Sequence, residues 1–464
     1  MVARGKDLLA NFLHNLFHPS PDYTPPEGLH PFSHQRNGET FRLHLRVDKS
    51  GHGTLLVNAN RFLHLNPTAT LMAYYYLHDY TLEEVLPILK GTFHVPHQQA
   101  EKDYKRLRKD IEQFLSGRGK PFYAQTKMEI KQPFSLTPSA PYRMDLAITY
   151  RCNNDCPHCY NARERSFKEL STSQWKRILD HLWELNIPHV VFTGGEPTLR
   201  EDLPELIRYA EGIGQITGLN TNARRLSDSS YLTELVHAGL DHVQITLESH
   251  DPQIHDQMVN HIGAWEQTTA GLKNALDSPL YVMTNTTMLK NNRESIAETL
   301  DFLSELGVPT LGLNALIYAG RGKDVDSGLK DTDLQRLLTI AKEKTETSGQ
   351  RLIWYTPTRY CHFNPLDMGL GVKGCTAALY NMCLEPNGDV LPCQSYYQPL
   401  GNILEKDWED IWNHDLAVHI RERNYVPEAC QQCSLLPDCG GGCPLALKAQ
   451  AGTVDPDPLI PVPS

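Results

Sequence analysis

The sequence has no run approaching the roughly 18 apolar residues that span a bilayer, so no membrane helix is expected. It has no basic surplus either: 44 lysines and arginines face 55 aspartates and glutamates, for a net charge of -11 and a pI near 6.0. A general nucleic-acid binder carries the opposite balance, so neither nucleic acid nor membrane is an expected partner. Cysteine is almost missing from the first 360 residues, where only Cys152, Cys156 and Cys159 occur, while eight more fall from Cys361 onward. A secreted disulfide scaffold is short and cysteine-dense throughout. This distribution excludes one and points to metal clusters in a cytoplasmic protein. In the amino end, KDLLANFLHNLFHP, Asn11, His14 and Asn15 interrupt the apolar stretch and no small-residue cleavage site follows, so it reads better as a helix than as a signal peptide. Leu9, Leu13 and Phe17, with Leu8, Phe12 and Leu16, instead form the stripe of a helix that Pro19 stops.

What is present divides into five segments: 1–37, the helix and an extension; 38–118, a small α/β module; 119–142, a linker; 143–357, a βα series; and 358–464, loop-rich and cysteine-rich. In the module, FRLHLRV and TLLVN read as a hairpin. Asn66 and Pro67 start a helix, Thr81 and Glu84 form a capping box, and Gly91 is a stop. Ala100, Tyr104, Leu107, Ile111 and Leu115 make the apolar face of a third helix that ends at Gly117. Hairpin and helices together suggest a winged-helix-like fold. From 143, six apolar runs (144–150, 189–194, 215–222, 242–248, 280–289 and 310–317) alternate with helix-like segments. Such a series predicts a parallel sheet with its active site at the carboxyl ends of the strands. The fold class is α/β.

Cys152, Cys156 and Cys159 follow the first of those runs, in TYRCNNDCPHCYNA. Closely spaced thiolates let one loop grip several irons of an iron-sulfur cube, and three of them leave one iron open. Structural zinc takes four ligands, usually as two pairs, and no second pair lies nearby. The C-x3-C-x2-C spacing followed by Tyr160 resembles the signature of the radical S-adenosylmethionine (SAM) enzymes. The resemblance implies a partial (β/α)6 barrel and a [4Fe-4S] cluster whose open iron chelates SAM, which one electron cleaves to a 5′-deoxyadenosyl radical. A second segment, FTGGEPTLR, is similar to the family's GGEP motif, implying that Gly194, Gly195, Glu196 and Pro197 hold the SAM amino group. By the same resemblance Tyr160, Asn220, Thr221, Asn222, Thr246 and Glu248 line the cofactor's site, and Asn314 and Arg321 face the cavity.

Near the carboxyl end, CQQCSLLPDCGGGC carries a C-x2-C-x5-C-x3-C pattern, preceded by Cys375 and by NGDVLPC. It is similar to the SPASM extension of radical SAM enzymes that modify peptides. The interleaving seen in that family implies one auxiliary iron-sulfur cluster on Cys375, Cys383, Cys393 and Cys443, and a second on Cys430, Cys433 and Cys439. This chain departs from the family in having no cysteine after Cys443, so the fourth ligand of the second cluster is open among Cys361, Asp455, Asp457, a substrate or water. Most of the 21 histidines are scattered singly and read as satisfied side chains.

The module at 38–118 resembles the leader-binding element of ribosomal peptide biosynthesis, in which a leader adds as a strand beside the hairpin and docks on the third helix. Together these resemblances imply a maturase that abstracts hydrogen from a ribosomally made precursor peptide and installs a crosslink, thioether, epimer or oxidised residue. An electron donor such as flavodoxin or ferredoxin is implied. Two other readings stay open: a radical SAM synthase of a small-molecule or tetrapyrrole cofactor, and a non-catalytic, zinc-stabilised peptide-binding module.

Overall fold

In the amino-terminal module, apolar residues at every second position require strands, and the computed structural model supplies four of them. It describes residues 24–36, 39–58, 61–116, 138–162 and 166–450; the expected helix before Pro19, Gly117, most of the linker and the proline-dense tail lie outside these. The chain forms two units, Met1–Ile130 and Lys131–Ser464.

In the first unit, β1 (Gly28–Arg36), β2 (Glu39–Val47), β3 (Gly53–Val57) and β4 (Arg61–Leu65) make an antiparallel sheet in sequence order. The expected hairpin is β2–β3. It is flanked on both sides, because β1 pairs with β2 and β4 with β3. Three helices follow: α1 (Pro67–Leu77), α2 (Leu82–Phe93) and α3 (His97–Ser116). Asn66 caps the first, and Thr81 with Glu84 closes both halves of the capping box on the second. Gly91 does not end α2, which runs to Phe93 and turns at the left-handed His94. A mid-helix glycine costs only about 1 kcal/mol, less than burying Val85, Leu86, Ile88 and Leu89 contributes. All five residues expected on the third helix's apolar face are buried, packed with Leu43, Leu45, Leu55 and Leu63 from the sheet.

In the second unit the six apolar runs become β5 (Arg143–Thr149), β6 (His189–Gly194), β7 (Ile216–Thr221), β8 (His242–Thr246), β9 (Tyr281–Thr287) and β10 (Thr310–Asn314). Each pairs in parallel with the next, and each is followed by at least one helix. A short seventh parallel strand, β11 (Arg351–Trp354), extends the series beyond β10. On the opposite side, β12 (Asn381–Leu384) pairs in parallel with β5, and β13 (Asp389–Leu391) and β14 (Gly401–Asn402) follow antiparallel. One ten-stranded sheet therefore joins the barrel strands to the carboxyl-terminal region. β5, β6 and β7 are buried almost end to end, as expected of parallel strands covered on both faces. No helix among the described residues is long and apolar enough to cross a membrane.

Candidate functional site at the strand ends

Where β5 ends, its pairing with β6 slips between Ala147 and Thr149, a bulge that turns the chain out of the sheet and into the cysteine loop. The Gly194–Gly195 pair lies against this turn. Gly195 N donates to Thr149 O at 2.8 Å, and Glu196 N donates to Arg151 O at 2.8 Å. Gly194 has φ +132°, and a Cβ there would lie 2.0 Å from Thr149 O; one at Gly195 would lie 2.4 Å from Arg151 O. Only glycine fits such backbone contact. The close approach served by the two glycines is to the chain entering the cysteine loop.

Glu196 is fully buried. Its Oε1 accepts from Thr198 N (3.1 Å), Thr198 Oγ1 (2.7 Å) and Thr221 Oγ1 (2.7 Å), and its Oε2 from Asn222 N (2.8 Å). Burial raises its carboxyl above the ordinary range, and these donors pull the other way. Glu196 thus ties the end of β6 to the end of β7. Pro197 opens the 3-10 turn that follows, with Glu196 as its cap. Asn222 reaches onward, its Nδ2 donating to Asn153 Oδ1 in the cysteine loop at 2.7 Å.

Glu248, also buried, makes a parallel tie from β8. Its Oε1 is hydrogen-bonded to His158 Nε2 in the cysteine loop at 3.1 Å, and its Oε2 accepts from Thr287 N at 2.8 Å. Asn220 and Thr246 lie half-buried near the ends of β7 and β8.

The anchors at Arg224, Asp155, Gly320 and Gly322 were not read from the sequence, whereas Arg321 was, as a residue facing the cavity. Arg224 is buried and donates to Asn153 O, Asn154 Oδ1 (2.8 Å), Gln267 Oε1 (2.6 Å) and His261 Nε2 (3.1 Å). Asp155 pairs with Arg321 at 2.7 Å, so Arg321 meets the outside of the cysteine loop. Gly320 and Gly322 bring the segment after β10 against the same loop, where Arg321 N donates to Cys159 O at 3.0 Å. The only sequence signal for these residues is their position just after a strand end.

The loop's thiols resist ionising. Although Cys152 is exposed as a residue, desolvation by the loop around its thiol pushes it up to about 11, with the Asn154 N–H opposing and the charges of Glu196 and Cys159 adding. Cys156 is raised well above the usual range by burial and then by Cys159, Glu248 and Cys152. The charge of a neighbouring loop thiol adds to the cost of ionising both Cys152 and Cys156, and a bound cation would remove that cost. An all-sulfur donor set of this kind fits an iron-sulfur cluster.

Tyr160, expected beside the cofactor, directs its hydroxyl to Gln394, donating to Oε1 at 3.1 Å. Burial and the charges of Cys159, Asp145, Cys383 and Cys393 raise its ionisation far beyond the usual phenol range. It therefore stands between the two cysteine groups. Tyr397 closes the same junction, its hydroxyl within 2.8 Å of Tyr160 O and 2.7 Å of Asn161 Oδ1.

Burial raises Cys375, Cys383, Cys393 (to about 12) and Cys443. Cys443 and Cys393 add to the effect on Cys375, and Cys393 to that on Cys383. Cys430 is raised by burial and then by Cys361, Cys439 and Cys433. The turn between Cys439 and Cys443 consists of Gly440, Gly441 and Gly442, all with positive φ (65°, 80° and 84°), a path closed to other residues. Among the described residues, no three of His, Cys, Asp or Glu gather tightly enough for a single metal ion.

A family model described as the Radical SAM superfamily matches residues 146–303, and one described as the SPASM iron-sulfur cluster-binding domain matches 375–434. A PqqA peptide cyclase of Bradyrhizobium diazoefficiens is 31% identical over 334 residues, covering 68% of this chain and 85% of its own. One from Xanthomonas campestris is 29% identical over 330 residues, covering 68% and 86%. Among solved structures, Streptococcus suis SuiB bound to its precursor peptide SuiA has a TM-score of 0.63 at 19% identity, covering 87% of this chain and 94% of that one. The protein anSMEcpe with bound AdoMet has a TM-score of 0.54 at 17% identity, covering 65% and 88%. These last two are likenesses of fold.

Proposed function

The chain belongs to the radical SAM superfamily, in the branch that carries a SPASM domain, and from that premise we propose that it modifies a ribosomally made precursor peptide by closing a crosslink within it. The observation that carries this reading is the 31% identity, over most of both chains, to a peptide cyclase. Ring closure is favoured over epimerisation or simple oxidation because cyclisation is what the relatives are named for.

In this reading Cys152, Cys156 and Cys159 hold the [4Fe-4S] cluster. Cys375, Cys383, Cys393 and Cys443 hold one auxiliary cluster, and Cys430, Cys433 and Cys439 serve a second. When bound, these groups with SAM supply a 5′-deoxyadenosyl radical that takes one hydrogen atom from the peptide and a sink for the electron left when the second hydrogen departs as a proton. The chain's own residues do the rest. Glu196 and Glu248 fix the ends of four strands, β6 to β9, against the cysteine loop, and Arg224 holds that loop's backbone. Gly194 to Pro197, Asn220, Thr221, Asn222 and Thr246 then line the SAM site from the ends of β6, β7 and β8. Because Glu196 already accepts four hydrogen bonds, its part is to set the shape of that wall as well as its charge. Tyr160 contributes to the passage between the cluster sites.

The leader adds at the outer edge of β4, beside α3. Its main chain extends the sheet there while pockets select its side chains. This edge is favoured because β1 flanks the far side of the hairpin, and Arg61 on β4 donates to the carbonyls of Phe114 and Leu115 at the end of α3. A flavodoxin or ferredoxin delivers the reducing electron, and the protein works in the cytoplasm.

The test is anaerobic purification and reconstitution, then iron, zinc and 5′-deoxyadenosine assays with and without a candidate precursor peptide. Eight to twelve irons, as about two to three cubes require, with cleavage and a peptide two hydrogens lighter, support the reading. Cleavage with iron, coupled only to a small molecule, transfers it to a cofactor synthase. Zinc without cleavage ends it in favour of a binding module.

A further inference from the structure

Four of the eight later cysteines account for one auxiliary site, which leaves Cys361 with Cys430, Cys433 and Cys439. The segment before Cys361 grips the second set directly. Tyr360 N donates to Cys439 Sγ at 3.4 Å, and Cys439 Sγ lies 3.6 Å from Thr358 O. The backbones on either side of that contact also pack together. A Cβ on Gly442 would lie 2.9 Å from Arg359 Cγ and 3.8 Å from Pro357 O, so the positive-φ glycine turn is shaped to receive this segment. Cys361 follows Tyr360 directly, so the contact of Tyr360 N with Cys439 Sγ sets its thiol beside this second set. Other donors nearby fit less well. His362 offers a nitrogen donor where iron-sulfur cubes are ordinarily held by thiolates alone. Asp438 adjoins Cys439 but offers a hard oxygen among soft thiolates.

We infer that Cys361 is the fourth thiolate of the second auxiliary iron-sulfur cluster, supplied from before the SPASM cysteines rather than after them. This rests on reading the field as cluster sites. It gives Cys430, Cys433 and Cys439 a fourth thiolate and so completes a four-thiolate set. The ligand enters from the chain that leaves β11, so barrel and cluster become one folding unit at that point.

The test is differential alkylation of the anaerobically reconstituted full chain with iodoacetamide, read by mass spectrometry before and after iron is removed by a chelator. Cys361 is exposed, so it labels readily unless metal holds it. The expected result is that Cys361 labels more than about tenfold more slowly in the loaded protein, together with Cys430 and Cys433. Labelling of Cys361 at the iron-free rate while Cys433 stays protected overturns the inference and leaves the cluster site standing. Equal labelling of Cys361 and Cys433 at the iron-free rate overturns both. Electron paramagnetic resonance of the reduced protein gives a second arm. Cys361→Ser is expected to alter an auxiliary signal that Asp438→Asn leaves unchanged, and the reverse pattern assigns the position to Asp438.

Discussion

In the loop after β5, Cys152 is exposed and Cys156 and Cys159 are half-buried, and side chains borrowed from other strand ends hold the loop. In the field beyond β11, Cys383 and Cys439 are buried, Cys361 and Cys433 are exposed and the other four are half-buried, and the neighbouring ties run through backbone groups, a β-strand and a glycine turn. Both groups leave thiols at the surface; they differ in what holds them. Side-chain clamps can adjust to a bound ligand, whereas backbone packing holds a site in one shape.

The sharpest way to break this comparison is Cys156→Ala. It is expected to reduce 5′-deoxyadenosine formation to background while the auxiliary iron remains, and an undiminished rate would sink the assignment of the loop. The converse variant, Cys433→Ala, should lose about four irons per chain yet still cleave SAM in the absence of peptide; unchanged iron content counts against the later site. Next comes Gly195→Ala. Its new Cβ meets the Arg151 carbonyl, which has no flexible end to move, so a loss of about 3 kcal/mol is expected in urea unfolding. Wild-type stability in that variant would mean the β5–β6 junction is looser than described.

Arg224→Ala tests the clamp itself. Losing hydrogen bonds from a buried guanidinium should cost about 2 kcal/mol and weaken SAM binding, read as a lower melting temperature together with a raised KM. Lysine is not expected to rescue it, since a single ammonium cannot reach four separated partners. The smallest effect belongs to the exposed Asp155–Arg321 pair. The Arg321 hydrogen bond holds the Asp155 carboxyl below its ordinary value. The stability it contributes is therefore present above the unfolded carboxylate's value and lost as the pH falls through the folded one. Solvent screening keeps the contribution under about 1 kcal/mol. Arg321→Gln should remove it at neutral pH and leave the acid limb unchanged; a larger loss would show that Arg321 carries more than this pair.

Much of this was legible along the chain. Local patterns placed β5 to β10 and all three amino-terminal helices, because burial on both faces and capping chemistry write directly into neighbouring residues. β11 and β12, four residues each, were missed: too short for a periodic signal, they exist because a sheet edge offers them partners. β1 went unread for a related reason, since GLHPFSHQR has no clean alternation and owes its strand to nine pairings with β2. At the site, the cysteines and the GGEP segment were visible because metal ligands and glycines announce themselves by type. Arg224, the His158–Glu248 tie and the place of Tyr160 were not, because each depends on a partner tens to hundreds of residues away.

By itself, then, the sequence determined the chemistry: which residue types could bind iron, in what order, on a parallel α/β scaffold. Only the tertiary structure decided the bracing. Whether Glu196 points outward or braces two strands, which loop Arg321 meets, and where Cys361 comes to rest follow from how separate strand ends and loops pack, and spacing along a chain carries no record of distance across a fold.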